Sequence, residues 1–148
     1  MKFLVISIIL FLIFGCYSIK NIHKETFNFN DNGRNHKLVI NIPKCYSFER
    51  IKANAEYGRE ERYWYKDSSV IYISDLKSGS TLNYSNIRGQ KNAYAKRFEF
   101  DTITLSGINK FGKYWKEIKY NQLFYGYSNI PANEKKLFDH ALSSGKIK

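Results

Sequence analysis

The chain is poor in the residues that carry most recognisable chemistry. Its 148 residues include two cysteines, three histidines, two prolines and one methionine. Two cysteines exclude a small domain stapled by several disulfides, so packing has to supply the stability. The histidines are His23, His36 and His140, none of them three or four positions from another histidine or a cysteine. That spacing offers no zinc site, and no metal or cofactor is expected. The chain also lacks a phosphate-binding loop, a Gly-x-Gly-x-x-Gly dinucleotide fingerprint and a Gly-x-Ser-x-Gly nucleophile elbow. No catalytic residue is therefore assigned, and the expectation is a protein that is not an enzyme. A compact run of Lys and Arg is missing too, although the formal charge is +11. The cations are scattered from Lys44 to Lys148. Nucleic acid is thus not an expected partner, and anionic envelope components are a better match for such a surface.

What the chain does have is a marked beginning. Met1-Lys2 is a short positive start, residues 3–14 are almost wholly apolar, and Gly15-Cys16 follows. A charged start, a short apolar core and a small residue before the cut are the parts of a secretory signal. Ile13-Phe14-Gly15-Cys16 resembles the lipobox of bacterial lipoproteins, with Phe14 bulkier than the usual occupant. The resemblance implies cleavage before Cys16 and lipid (palmitate or a related chain) on its thiol. It also implies an exported protein of the cell envelope, anchored to a membrane. No acidic run follows Cys16, which by the same resemblance favours the periplasmic side. Two acyl chains anchor stably where one does not, at about 0.8 kcal/mol per buried methylene. The alternative is an uncleaved span reaching Ile19, near the lower limit of the roughly 20 residues that a span needs.

Removing residues 1–15 takes away one lysine and no acid, leaving 133 residues at a charge of +10. That length suits one domain. Residues 16–24 are expected to form a tether and residues 25–148 a single α+β domain. Cys45, with Cys16 spent on lipid, is expected to be a lone structural cysteine, buried or half-buried.

The α+β expectation comes from hydrophobic pattern and turn chemistry. Residues 25–29 alternate, Asn32-Gly33 suits a hairpin turn, and 37–42 return as far as Pro43. In 46–57, Phe48, Ile51, Lys52 and Ala55 fall at helical spacing, an ambiguous signal. Residues 61–66 and 70–74 form a second hairpin, and 83–98 read as one or two short helices. Strands over 101–108, 114–120 and 123–127 make a meander, in which Trp115, Glu117 and Lys119 share one side. Ser128-Asn129-Ile130-Pro131 suits the start of a helix whose apolar stripe is Leu137, Phe138, Ala141 and Leu142, stopped by Gly145. The predicted whole is an antiparallel sheet packed against a C-terminal amphipathic helix. The tail from Ile130 to Lys148 resembles the end of PsbP-like α+β domains; it spans about an eighth of the chain and carries no functional residue.

Two groups remain. Glu60-Glu61, between Arg59 and Arg62, reads as a solvated, self-neutralising face. Tyr63, Trp64, Tyr65, Trp115, Tyr125 and Tyr127 are the candidate aromatic surface for stacking a sugar or peptide. The reading favoured for function is a membrane-tethered, non-enzymatic binding or scaffolding domain of the envelope. Its rivals are an inhibitor or immunity-type lipoprotein that captures a toxin, and a hydrolase whose site is assembled from distant residues.

Overall fold

Alternation in the first described strands places their apolar side chains on one side. A computed structural model describes residues 21–52, 58–77, 79–80 and 99–148. The leader, Cys16 and the helices expected in 83–98 lie outside the described residues. Strand β1 (Ile22–Asp31) turns at Asn32-Gly33 into β2 (Arg34–Pro43). Both turn residues have positive φ, 50° and 82°, the left-handed pair that a two-residue hairpin requires. Pairing of Phe27 with Leu38 and of Glu25 with Ile40 puts Phe27, Phe29, Leu38, Ile40 and Ile42 inside. Burying each such side chain contributes about 1.5–3 kcal/mol.

The larger sheet has six strands. They are β3 (Ser47–Lys52), β4 (Arg59–Trp64), β5 (Val70–Ser74), β6 (Thr102–Ile108), β7 (Tyr114–Tyr120) and β8 (Leu123–Ile130). Their order across the sheet is β3-β4-β5-β8-β7-β6, and every pair is antiparallel. Helix α1 (Lys135–Ser143) and the short β9 (Lys146–Ile147) close the chain, with β9 pairing to β2. The smaller sheet and α1 contribute to a core with one face of the larger sheet. Phe27, Leu38 and Ile40 meet Tyr63, Ile71, Ile73, Tyr125 and Tyr127 there, together with Phe138, Ala141 and Leu142 of the helix. The structure is an antiparallel-sheet protein with one short C-terminal helix, within the α+β class.

Several local expectations are corrected. The tether does not reach residue 24, because Ile22, His23 and Lys24 pair with Pro43, Ile42 and Asn41 in β1. Residues 47–52 are a strand. Phe48 packs on the Tyr63 ring directly opposite, at 5.4 Å between centroids, and that cross-strand contact outweighs the helical spacing. Cys45 is exposed and disulfide-bonded rather than lone and buried. Residues 128–130 continue β8, so Asn129 caps no helix; its side-chain amide donates to the Ser68 carbonyl at 3.0 Å. A turn over 132–134 intervenes, and Glu134 occupies the N-cap without a side-chain hydrogen bond.

The second face of the six-stranded sheet is unusual in being both buried and polar. One cross-strand row runs Glu49, Arg62, Tyr72, Gly126, Glu117, Leu105. Tyr72 and Glu117 are each 2 % exposed, and the Tyr72 hydroxyl donates to Glu117 Oε2 at 2.7 Å. Strand β8 lies between them, and the missing side chain of Gly126 leaves room for the tyrosine to cross it. A Cβ there would overlap the Lys116 carbonyl oxygen and the Tyr72 hydroxyl. Gly126→Ala is expected to lower stability by about 2–4 kcal/mol through overpacking and loss of the Tyr72–Glu117 bond. Urea unfolding of the full chain measures this; a variant as stable as the parent contradicts it.

Candidate functional site

Among the described residues, a concavity opens at the turn end of the β1–β2 hairpin. Asn28, Phe29, Asn30, Asn35, His36 and Lys37 from that hairpin line it with Arg59, Asp75 and Lys148, around about 620 Å³. Strand alternation explains the polarity: Phe27 and Phe29 turn inward, so Asn28 and Asn30 turn out. The His36 ring stacks on Phe29 at 5.7 Å between centroids and 27° between planes. Arg59 stands where the two sheets meet. Its guanidinium lies over the Phe27 ring, 4.2 Å from the centroid, and Nη2 donates to the Asn28 carbonyl at 2.9 Å. Its Nε sits 3.5 Å from Glu61 Oε1, close enough for an ion pair but without a well-aligned hydrogen bond. Asp75 Oδ1 accepts from the Arg59 amide at 2.6 Å, and the Asp75 amide donates back to the Arg59 carbonyl at 3.0 Å. Reciprocal backbone bonds of 3.0 Å hold Lys148 beside Lys37.

The wall therefore offers amides, an imidazole stacked on a ring, and cations. Glu61 is shared between Arg59, at 3.5 Å, and Arg50, at 2.8 Å. Lys37 and Lys148 each bring an ammonium to the wall, and Asp75 brings a carboxylate. Such a surface suits a ligand with hydroxyls to hydrogen-bond and negative charge to pair.

Glu60 and Glu61 do not form a solvated face. They are 0 % and 4 % exposed, and because they are adjacent in a strand they point to opposite faces of the sheet. Glu61 accepts from Arg50 Nε at 3.0 Å and from the Tyr63 hydroxyl at 3.1 Å, while Arg50 Nη2 lies 2.8 Å away. Glu60 pairs with Arg62, two residues on, which also lies 3.5 Å from Glu49. Burying such charges is tolerated only with partners of this kind. Burial, and then the Glu61 charge, push the Tyr63 phenol well above the ordinary tyrosine range.

The six candidate aromatics do not form one exposed strip. Tyr63, Trp115, Tyr125 and Tyr127 are buried, and Trp64 and Tyr65 are half-buried. Tyr65 meets Phe138 edge-on at 5.1 Å and donates its hydroxyl to the Pro43 carbonyl. Tyr63, Tyr125 and Tyr127 belong to the core, whereas Trp64 donates its indole N–H to Glu49 Oε2 at 2.8 Å. Packing accounts for this group. Among the histidines, His23 lies 3.3 Å from Glu25, His36 lines the cleft, and His140 is exposed. Among the described residues no three His, Cys, Asp or Glu side chains gather as a metal site would need. Neither is there, among them, a helix long and apolar enough to cross a membrane.

One further polar cluster ties the helix to the sheet. Asp139 accepts from Lys116 at 3.1 Å, from Lys135 at 2.5 Å and from the Tyr127 hydroxyl at 3.0 Å. Burial alone raises the Asp139 pKa, but the hydrogen bonds from Lys135, Lys116 and Tyr127 outweigh it, and the net shift is downward. This chain matches no family model, no curated protein and no solved structure.

The Asp139 cluster gives a signed pH dependence. A carboxylate whose folded pKa is depressed stabilises the fold above its unfolded pKa, roughly 3.9, and loses that contribution as pH falls through the lower folded value. Asp139→Asn is expected to reduce stability at neutral pH and to flatten the acid limb of the stability curve. Thermal melts between about pH 2 and 7 check this; an unchanged acid limb in the variant sinks it.

Proposed function

We propose that this chain is an exported, membrane-tethered binding protein of the cell envelope, and that the hairpin cleft binds an acidic saccharide. The observation that carries the binding half is the composition of the cleft wall. Three asparagines and a histidine stacked on Phe29 match sugar hydroxyls and a sugar face, and Lys37 and Lys148 match carboxylates. Both lysines are exposed, so their charges reach a ligand at modest desolvation cost.

The address half rests on the leader and lipobox in residues 1–16. The disulfide at Cys45 stands against the lipid half of that address. The two features differ on one atom. The sequence holds two cysteines, so a thioether on Cys16 and an intrachain disulfide at Cys45 exclude each other. We propose lipid on Cys16 in the mature protein. It couples the cleft to the membrane surface, where acidic envelope polymers lie within tether reach.

Each half has its own test. Mass spectrometry of the mature protein is expected to find an acylated N-terminal Cys16 peptide. Recovery of a Cys16–Cys45 disulfide peptide removes the anchor and leaves export standing. For the cleft, calorimetric titration of the full chain in detergent uses a galacturonate trimer as probe and a galactose trimer as control. Binding of the acidic probe is expected, weakening as salt rises because exposed charges are screened within about 8 Å at physiological ionic strength. A Lys37→Gln, Lys148→Gln variant is expected to lose about tenfold in affinity, or about 1.4 kcal/mol. Equal binding of both trimers, or an unaffected variant, overturns the acidic-saccharide reading.

A further inference from the structure

Five large apolar side chains are exposed among the described residues: Ile22, Phe48, Phe100, Ile108 and Phe111. Scattered singly, such residues need no explanation. Four of these five belong to one end of the molecule. Strand register defines that end: Ser47 pairs with Trp64, Trp64 with Val70, Val70 with Ser128, and Tyr114 with both Ile130 and Ile108. The start of β1 lies there too, because Ile22 pairs with Pro43 and the Pro43 carbonyl accepts from Tyr65, the residue after β4. Phe100 precedes β6 at the other end, where Asn121, between β7 and β8, donates to Asp31 at the tip of the β1–β2 hairpin. The most exposed of the five is Phe111, at 68 %, in the β6–β7 turn Asn109-Lys110-Phe111-Gly112-Lys113. Asn109 orders this turn. Its Oδ1 accepts from the Phe111 and Lys113 amides at 2.9 and 3.0 Å, and its own amide donates to the Lys113 carbonyl at 2.8 Å. A turn ordered this way holds Phe111 out from the sheet, and the Lys110 ammonium lies 5.0 Å from the centroid of its ring.

We infer that the β6–β7 turn is a membrane-contacting tip, seated in the headgroup layer of an anionic bilayer; this rests on the lipid anchor proposed above. Two observations choose a bilayer as the occupant. The first is where the tether leaves the domain. Cys16 precedes Asn21 by five residues, and a fully extended chain of that length spans at most about 18 Å. Acyl chains on Cys16 therefore hold the Ile22 end of the domain close to the surface, and the Phe111 turn is at that end. The second is charge. Lys44, Lys66 and Lys110 are exposed at this end, and Lys113 is half-buried. The acids nearby are engaged within the domain: Glu25 accepts from Tyr46, Glu49 from the Trp64 indole, and Asp67 from the Ser69 amide and hydroxyl. Glu134 is half-buried. An aromatic ring is favoured at headgroup depth, and lysine stems lie along apolar surface while their ammonium groups reach lipid phosphates. The hairpin cleft is at the opposite end, so a domain seated this way keeps it open to solvent.

Depth-dependent fluorescence quenching tests this. The mature protein recovered from membranes is placed in phosphatidylglycerol–phosphatidylethanolamine vesicles that carry brominated acyl chains. Flotation of the vesicles reports the anchor, and quenching reports the tip. Phe111→Trp is expected to add emission that the brominated lipid quenches, beyond the background of Trp64 and Trp115 in the parent. Phe100→Trp, at the other end of the sheet, is expected to add emission that is not quenched. Both positions are exposed, and circular dichroism confirms the fold of each variant. Adding Lys110→Gln and Lys113→Gln to Phe111→Trp is expected to lower the ratio of seated to free tip roughly twentyfold, as two basic residues at an anionic surface would. Protein that does not float overturns the anchor and the tip together. Floating protein in which Phe111→Trp is unquenched, or is quenched no more than Phe100→Trp, overturns the tip alone. Quenching that survives loss of both lysines overturns it as well. So does an unquenched Phe111→Trp indole whose emission shifts blue as the protein is concentrated in detergent, which makes the turn a contact between copies.

Discussion

The hydrogen bond from Tyr72 to Glu117 across Gly126 shows the constraint under which this fold is built. Its central strands are buried on both faces: all five residues of β5 and the first five of β8 are inside. Antiparallel sheets commonly keep one face wet, and simple alternation then suffices. Here the second face holds Glu60, Tyr72, Ser74, Glu117 and Lys119 at 9 % exposure or less. Each must exchange water for a protein partner, or pay a desolvation cost of about 1–3 kcal/mol or more. The Lys119 ammonium does so by donating to the Phe100 carbonyl at 2.6 Å, and Tyr72 by reaching over a strand that carries a glycine at the crossing point. Gly126 is thus required by the Tyr72 side chain and by the Lys116 backbone carbonyl on the strands beside it.

The same constraint decides what can be read from the sequence. Phe27, Phe29, Leu38, Ile40 and Ile42 alternate because their hairpin has one dry face, and the antiparallel class with its terminal helix is legible from such patterns and from turns such as Asn32-Gly33. Trp115, Glu117 and Lys119 share a side as strand geometry requires, but nothing in their types says that this side is buried. Glu60-Glu61 looks solvated in the sequence because neighbouring arginines are the visible partners. In the fold the adjacent acids face opposite ways, and Glu61 meets Arg50 from the next strand and Tyr63 two residues on. Phe48 and Ile51 mislead for a related reason: a short edge strand makes its contacts sideways, and its spacing carries little signal. The cleft is less legible still. It joins the 28–37 hairpin to Arg59, Asp75 and Lys148, and the one local hint is the run of outward asparagines at 28, 30 and 35.

The cysteines connect the fold to the address. A disulfide and a lipid thioether answer different problems, one restraining the unfolded chain and the other holding the folded chain at a surface. The hydrogen-bonded sheets, the shared core and the Asp139 cluster already tie the described elements together through contacts that need no covalent link. Lys135, Lys116 and Tyr127 converge on Asp139 from the helix, β7 and β8, and so fix the helix across two strands. A fold with that much internal support has less need of a staple near its first strand.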